Sequence, residues 1–298
     1  EGEVTEVEWQ KSLNLIAEPK ARRFFQVDFS ATPYNEVGTG KKAKKTYFPH
    51  IVVDFDLKTA MRLGLVKSLV LDKRSELGAL SNEDLEFKAY RDEDGNPQLS
   101  EGQRIMLRAG LTKLSKLDTD FSELASDRHP KMLVVCEDTS VTPLVEDFLR
   151  LEGLTEQEVL RVDSTKKGDL KADEWKGLRE RLFDVDRHAS PRVIISVLML
   201  REGFDVNNIC VIVPLRASTA GILLEQTIGR GLRLMWRGDD YEDIKRENRA
   251  LIRQGKTPGS MIDILSIVEH PAFLEFYEEL IKEGLVGEVE DEDETTSS

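Results

Sequence analysis

Apolar positions along this chain follow two patterns, and the change falls near His129-Pro130. Upstream they are scattered or alternate. Phe24, Phe25, Val27 and Phe29 predict a buried strand over Arg23 to Phe29, closed by the loop Ser30-Ala31-Thr32-Pro33. Residues 1–20 have no clear period and read as the end of a helix. His50 to Asp56 predicts a second short strand, and Leu57 to Val66 a short amphipathic helix stopping near Gly64. Asp92-Glu93-Asp94-Gly95-Asn96-Pro97 reads as a turn. Ile105, Leu107, Leu111, Leu114 and Leu117 form a helical stripe through 101–125.

Downstream the runs become continuous, as in parallel strands covered on both faces. Lys131 to Cys136, Val159 to Val162, Val193 to Val197 and Cys210 to Pro214 predict four strands. Helices are expected over Val141 to Leu151, Trp175 to Phe183 and Thr219 to Ile228, with two more near 240–254 and 271–283 on the flank. This β–α alternation predicts an α/β fold with a parallel sheet flanked by helices. Ligands of such sheets sit beyond the carboxyl ends of the strands.

Composition narrows the classes. Hydrophobic residues are 40% and charged residues 33% of the 298, enough for a core in one large or two medium domains. No apolar run is long enough to cross a bilayer, and no secretory leader is seen at the start, Glu1. Cys136 and Cys210 lie inside apolar runs and read as reduced core residues of a cytoplasmic protein. No Cys/His spacing suggests a metal site. The net charge of -14 argues against nucleic-acid binding through bulk charge. Part of it sits in Glu288, Glu290, Asp291, Glu292, Asp293 and Glu294, expected to be a disordered tail.

The chemistry concentrates in Gln226-Thr227-Ile228-Gly229-Arg230-Gly231-Leu232-Arg233. Arginines three apart on a helix share a face. A guanidinium stays charged and grips phosphate oxygens with a planar fork. The pair suits an anion with charge spread over several oxygens, such as a phosphoryl group in transfer. A solvated surface pair is the competing reading. Gly38-Thr39-Gly40-Lys41-Lys42 superficially resembles a phosphate loop. It fails, because Asn35 replaces the first Gly and Lys42 stands where Ser or Thr should hold magnesium. With Lys44 and Lys45 it reads as a basic surface loop.

The order of the loops resembles the carboxyl half of superfamily 2 helicases and translocases. Ser30-Ala31-Thr32, Met132 to Thr139, Leu200-Arg201-Glu202-Gly203-Phe204-Asp205 and Gln226-x-x-Gly229-Arg230-Gly231-x-Arg233 stand where that family has motifs III, IV, V and VI. Val52-Val53-Asp54-Phe55-Asp56-Leu57-Lys58 and Gly64-Leu65-Val66-Lys67 look most like the Res subunit of type III restriction enzymes. The resemblance implies a RecA-like helicase C-terminal domain over 129–285, preceded by the end of a first RecA-like domain (1–33, carrying motif III) and a mixed α+β connector (34–128), and followed by the tail 286–298.

It also implies roles. Arg230 and Arg233 would be arginine fingers reaching the γ-phosphate of ATP, and they are expected near the carboxyl edge of the sheet rather than buried in carboxylate pairs. Gln226 and Gly229 would shape that loop. Gly203 would let backbone pass close to the nucleotide, and Asp205 would accept a hydrogen bond from ribose or from the finger loop. Ser30 and Thr32 would couple nucleotide state to the nucleic-acid groove. Thr139, Ser140, Ser164 and Thr165 would hold phosphates of one DNA strand. Locally, Gly203 and Asp205 are also explained as turn residues, and Thr139 and Ser140 as a helix N-cap. One departure stands in motif V: Val197, beside Ser196, replaces a threonine common in the family after the strand.

No Walker A lysine, no acidic strand end of the Walker B kind and no nuclease motif is found. ATP and Mg2+ would be held mainly by a first motor domain outside this sequence. The expected partners are that domain, duplex or single-stranded DNA, and a methyltransferase subunit, with no membrane. The chain is expected to be inert as an ATPase alone. The competing class is a non-catalytic RecA-like scaffold. A flavodoxin-like enzyme would need a Gly-rich first loop, which is not found.

Overall fold

The computed structural model describes residues 15–16, 27, 34–37, 44–73, 88–162, 185–197, 209–215, 228–270, 277–278 and 280–290. The chain divides into two compact units, Glu1–Val52 and Val53–Ser298. Within the first, β1 (Tyr34–Val37) pairs antiparallel with β2 (Lys44–Tyr47), and Glu36 stands opposite Lys45. The glycines read as a failed phosphate loop fall between these strands, at 38–43, outside the described residues. Lys44 and Lys45 belong to β2 itself rather than to a loop. The strand expected over Arg23 to Phe29 also lies outside, apart from Val27, which is 69% exposed and outside any strand rather than buried.

The second unit is built on seven parallel strands: β3 (Ser68–Lys73), β6 (Lys131–Cys136), β7 (Val159–Val162), β8 (Val193–Ser196), β9 (Ile209–Leu215), β10 (Ile264–Val268) and β11 (Val286–Glu290). Their spatial order is β11-β3-β10-β9-β6-β8-β7. The short hairpin β4 (Tyr90–Arg91) and β5 (Pro97–Gln98) stands apart from this sheet. Its turn is the predicted acidic one, with Asp92 accepting hydrogen bonds from the Asp94 and Asn96 amides.

Both faces of the sheet are covered, which is why its central strands read as unbroken apolar runs. Successive residues of β6 divide between the two cores: Met132, Val134 and Cys136 face one, Leu133 and Val135 the other. On the first face lie α2 (Glu101–Leu124), α3 (Thr142–Leu151) and α4 (Glu242–Arg253). They contribute Met106, Leu114, Phe121, Val145, Leu149 and Ile252 to that core. On the second lie α1 (Leu57–Arg62), through Met61, and residues Ile228, Leu232, Tyr277 and Leu280.

Local signals start and shape these helices. Ser100 and Gln103 form a reciprocal capping box at the start of α2, each side chain bonded to the other's amide. Gly110 in mid-helix brings α2 onto the sheet: an added Cβ would lie 2.4 Å from Val213 Cγ2 and 2.7 Å from Met132 Sδ. The predicted helix over 57–66 ends at Arg62, and Gly64 turns the chain with φ +67.

The structure redraws several expected boundaries. β3 and α2 come from the stretch read as a connector, yet they belong to the same unit as 129–285. β3 and β10 were not foreseen. Charged and polar residues, Asp72 in one and Ser266 in the other, interrupt their apolar runs although both are fully buried. His50 to Asp56 forms no strand; Val52 and Val53 are 91% and 77% exposed and find no sheet to join. The first residues of the expected acidic tail are ordered. Residues 286–290 form β11, pairing in parallel with β3, with Val286 buried and Gly287 close against Ile252 and Val70. Cys136 and Cys210 are buried core thiols outside any disulfide, as expected. Among the described residues no helix is long and apolar enough to cross a membrane, and no His, Cys, Asp and Glu cluster suits a metal ion.

Burial lowers the imidazole of His270 from the ordinary 6.5 to about 4. Between those values the unfolded chain binds a proton that the folded chain refuses, so stability falls as pH drops from 6.5 toward 4. In urea unfolding across this range, His270→Gln should show a shallower loss than the parent. Parallel pH profiles for the two chains would contradict this.

Candidate functional site

The arginine-bearing segment is helical over 228–231, followed by a turn. Ile228 and Leu232 are buried on the sheet, while Arg230 and Arg233 are half-buried. The two glycines do different things. Gly231 marks a close approach: an added Cβ would stand 2.8 Å from Leu265 Cδ2 and 3.0 Å from Ile212 Cδ1. Gly229 is exposed, and a Cβ there would meet nothing within 4 Å.

Beyond the helix the chain is held at the start of two strands. Leu232 accepts a hydrogen bond at its carbonyl from the Lys67 amide, 2.8 Å away, just ahead of β3. The Met235 amide donates to Asp263 Oδ1 at 2.8 Å, just ahead of β10. Asp263 has φ +48, an uncommon conformation for a residue with a side chain. Its carbonyl accepts from the Ser68 amide at 3.0 Å, and its second carboxylate oxygen lies 3.3 Å from Lys245 Nζ. Lys245 also donates to the Trp236 carbonyl at 2.8 Å. The Trp236 ring meets Phe121 and Tyr241 edge-on, at 5.3 and 5.4 Å.

Lys67, Lys245 and Asp263 are all buried. Lys67 Nζ donates to the Ile209 carbonyl at 2.6 Å. Burial pushes its ammonium pKa down, opposed by the Cys210 thiol and the Asp263 carboxylate. Burial in turn pushes the Cys210 thiol up. Removing one partner of such a buried pair costs about 3–5 kcal/mol, because the other charge is left uncompensated. Lys245 and Asp263 did not stand out in the sequence, and Lys67 did so only as the end of Gly64-Leu65-Val66-Lys67. The signal that was present is a lone acid in the run Met261-Ile262-Asp263-Ile264-Leu265, where a strand-starting charge must have a partner.

These contacts overturn one expectation. β3, β10 and β9 are parallel, and Lys67, Asp263 and Ile209 stand at or just before their first residues. The arginine turn therefore lies over the amino edge of the sheet, not the carboxyl edge.

Thr139 and Ser140 do lie at the carboxyl edge, after β6. There the Ser140 amide and hydroxyl both donate to Asp138 Oδ1, at 2.7 and 2.6 Å. The Ser140 hydroxyl is the leading cause holding the Asp138 carboxyl below its usual range. Thr139 accepts at its carbonyl from the Thr142 hydroxyl at 3.2 Å. Neither residue caps α3; Val141 takes that position without a side-chain bond. The Ser140 donors proposed for a phosphate are thus engaged by a carboxylate. Ser30, Thr32, Ser164, Thr165, Gly203, Asp205 and Gln226 lie outside the described residues.

No family model and no curated protein matches this chain. Among solved structures it is similar to a fragment of a protein assigned as the HsdR subunit of a type I restriction enzyme from Vibrio vulnificus YJ016, with 19% identity and a TM-score of 0.46 over 82% of this chain and 40% of that one. It is also similar to Mss116p DEAD-box helicase domain 2 bound to an RNA duplex, with 12% identity and a TM-score of 0.37 over 64% of this chain and 62% of that one. A third is the ATP-dependent Type ISP restriction-modification enzyme LlaBIII bound to DNA, with 13% identity and a TM-score of 0.39 over 86% of this chain and 20% of that one. The chain spans less than two thirds of each. At these identities none of them assigns an activity or a ligand to it.

The two glycines separate packing from exposure. Gly231→Ala should destabilise the chain by roughly 1–3 kcal/mol through overpacking against Leu265 and Ile212. Gly229→Ala should be neutral or stabilising by up to about 1 kcal/mol, since alanine is the better helix former. Equal losses for both in denaturant titration would refute the assignment.

Proposed function

We propose that this chain is the second RecA-like domain of a superfamily 2 helicase or translocase acting on DNA, of the kind found in restriction subunits and most like the type III Res subunit. The observation that carries the reading is the arginine segment: Arg230 on the short helix 228–231 and Arg233 in the turn after it, both half-buried, on a stretch that packs against the sheet and is hydrogen-bonded to two strand starts. The order of the four sequence motifs supports it. On this reading Arg230 and Arg233 meet the γ-phosphate of ATP and Mg2+ held by another motor domain. They reach it from the amino edge, leaving the carboxyl edge for DNA. The chain alone has no lysine or acid pair to hold the nucleotide and does not turn it over.

Cleft closure on ATP would bring the arginines onto the phosphate as charge develops, where an arginine finger contributes about 10³–10⁵ in rate. DNA-stimulated ATP turnover by the assembled motor should fall by about that factor in Arg230→Ala, while the present chain alone should show none. Turnover by this chain alone that disappears with Arg230→Ala would overturn the division of labour.

The alternative, a non-catalytic scaffold, draws on the net charge of -14. Binding of single-stranded DNA distinguishes the two. On the motor reading affinity falls steeply with salt, as phosphate contacts release counterions. Asp138→Asn keeps an acceptor for Ser140 but removes a negative charge from the carboxyl edge, so it should tighten binding at low salt. No binding at any salt, with or without this substitution, would favour the scaffold.

A further inference from the structure

Three charged residues from distant parts of the sequence are buried around the arginine segment: Lys67 ahead of β3, Lys245 on α4 and Asp263 ahead of β10. We propose that Asp263, with Lys245 and Lys67, is the positioning residue for Arg230 and Arg233, setting the path of the backbone that carries the two arginines. This rests on the reading of those arginines as phosphate-facing groups.

The geometry brackets Arg233. One residue before it, the Leu232 carbonyl is tied to the start of β3; two residues after it, the Met235 amide is tied to Asp263. Arg230 precedes Gly231, which has no room to move toward Leu265 or Ile212. Both arginines therefore spring from backbone referenced to the amino ends of two neighbouring strands. Asp263 is the common element. Its carboxylate holds Met235 and faces Lys245, and its carbonyl holds Ser68, beside the Lys67 amide that holds Leu232. Lys245 closes the loop from the other side by donating to the Trp236 carbonyl.

The chemistry is costly for a purely structural contact. Replacing a buried ion pair with well-packed apolar residues is often neutral or stabilising. A left-handed backbone at a non-glycine residue persists only where the surroundings over-determine it. Both features suit a part whose position matters more than its contribution to stability. They also give the buried Lys67 of Gly64-Leu65-Val66-Lys67 a role that its sequence did not reveal.

Asn and Gly both tolerate the backbone of Asp263, so neither variant adds backbone strain; both leave Lys245 without its charge partner and cost stability alike, which makes their difference report the bond to Met235. Asp263→Gly removes every side-chain contact. Asp263→Asn keeps an acceptor for the Met235 amide and loses the charge. In the present chain, hydrogen exchange at the Met235 amide should quicken by at least about 10-fold in Asp263→Gly and much less in Asp263→Asn.

In the assembled motor, Asp263→Gly should lower kcat for DNA-stimulated ATP turnover by about 100-fold, as for a misplaced reacting group. KM for ATP should stay within about 3-fold, because the loss falls on the transition state. Asp263→Asn should recover most of kcat. Gly110→Ala, whose added Cβ would press on Val213 and Met132, should lower stability and leave kcat unchanged. If Arg230→Ala abolishes turnover but Asp263→Gly leaves kcat at the level of Gly110→Ala, the positioning role is wrong and the motor reading stands. If Arg230→Ala leaves turnover intact, the motor reading fails, and the positioning role fails with it.

Discussion

A carboxylate and an ammonium buried 3.3 Å apart, Asp263 and Lys245, set the geometry on which the interest of this structure depends. Neither group gains by leaving water unless the other is present. The pair therefore ties three separate things together: α4, the start of β10 and the chain that follows the arginine helix. Lys67 adds a fourth, the start of β3, through its amide to Leu232 and its ammonium to Ile209. An apolar contact in this place would be non-directional. A charged and hydrogen-bonded one fixes the register of the chain that carries the two arginines.

The separation of the arginine segment from Thr139 and Ser140 follows from topology. When every strand runs the same way, all carboxyl ends share one edge and all amino ends the other. A crossover has to carry the chain back across a face of the sheet before the next strand begins. Residues just after a strand are therefore carboxyl-edge residues, and residues just before one belong to the amino edge. Ser140 follows β6; the arginine helix packs its end against the start of β3 and β10. A single domain can thus present two chemically distinct edges, one bearing the arginines and the other the Asp138-Ser140 turn. The Asp138 carboxylate on the Ser140 donors makes that second edge less welcoming to anions than the hydroxyl-rich sequence suggests.

Legibility varied with the environment of each strand. β6, β8 and β9 were readable because both of their faces are covered, and selection for burial leaves an uninterrupted apolar run. β3 and β10 were not, because Asp72 and Ser266 are buried inside them and the polar letters broke the pattern. β11 was hidden in an acidic composition; its pairing with β3 is a backbone matter to which side-chain charge is a poor guide. The error in the other direction, a strand over His50 to Asp56, shows that β-branched residues make a strand only where a neighbour supplies hydrogen bonds.

Local chemistry written in the chain determined the parallel α/β class, the long helix beginning at Glu101, the turn at Asp92–Pro97 and the presence of two arginines three apart. These depend on periodicity and on contacts between near neighbours. Tertiary structure alone decided that Gly231 is a packing glycine and Gly229 is not, that the arginines belong to the amino edge, and that Lys67, Lys245 and Asp263 meet beneath them. The reason is distance along the chain. Lys67 and Asp263 are separated by most of the domain, and no local pattern records a contact that exists only once the sheet has brought their strands side by side.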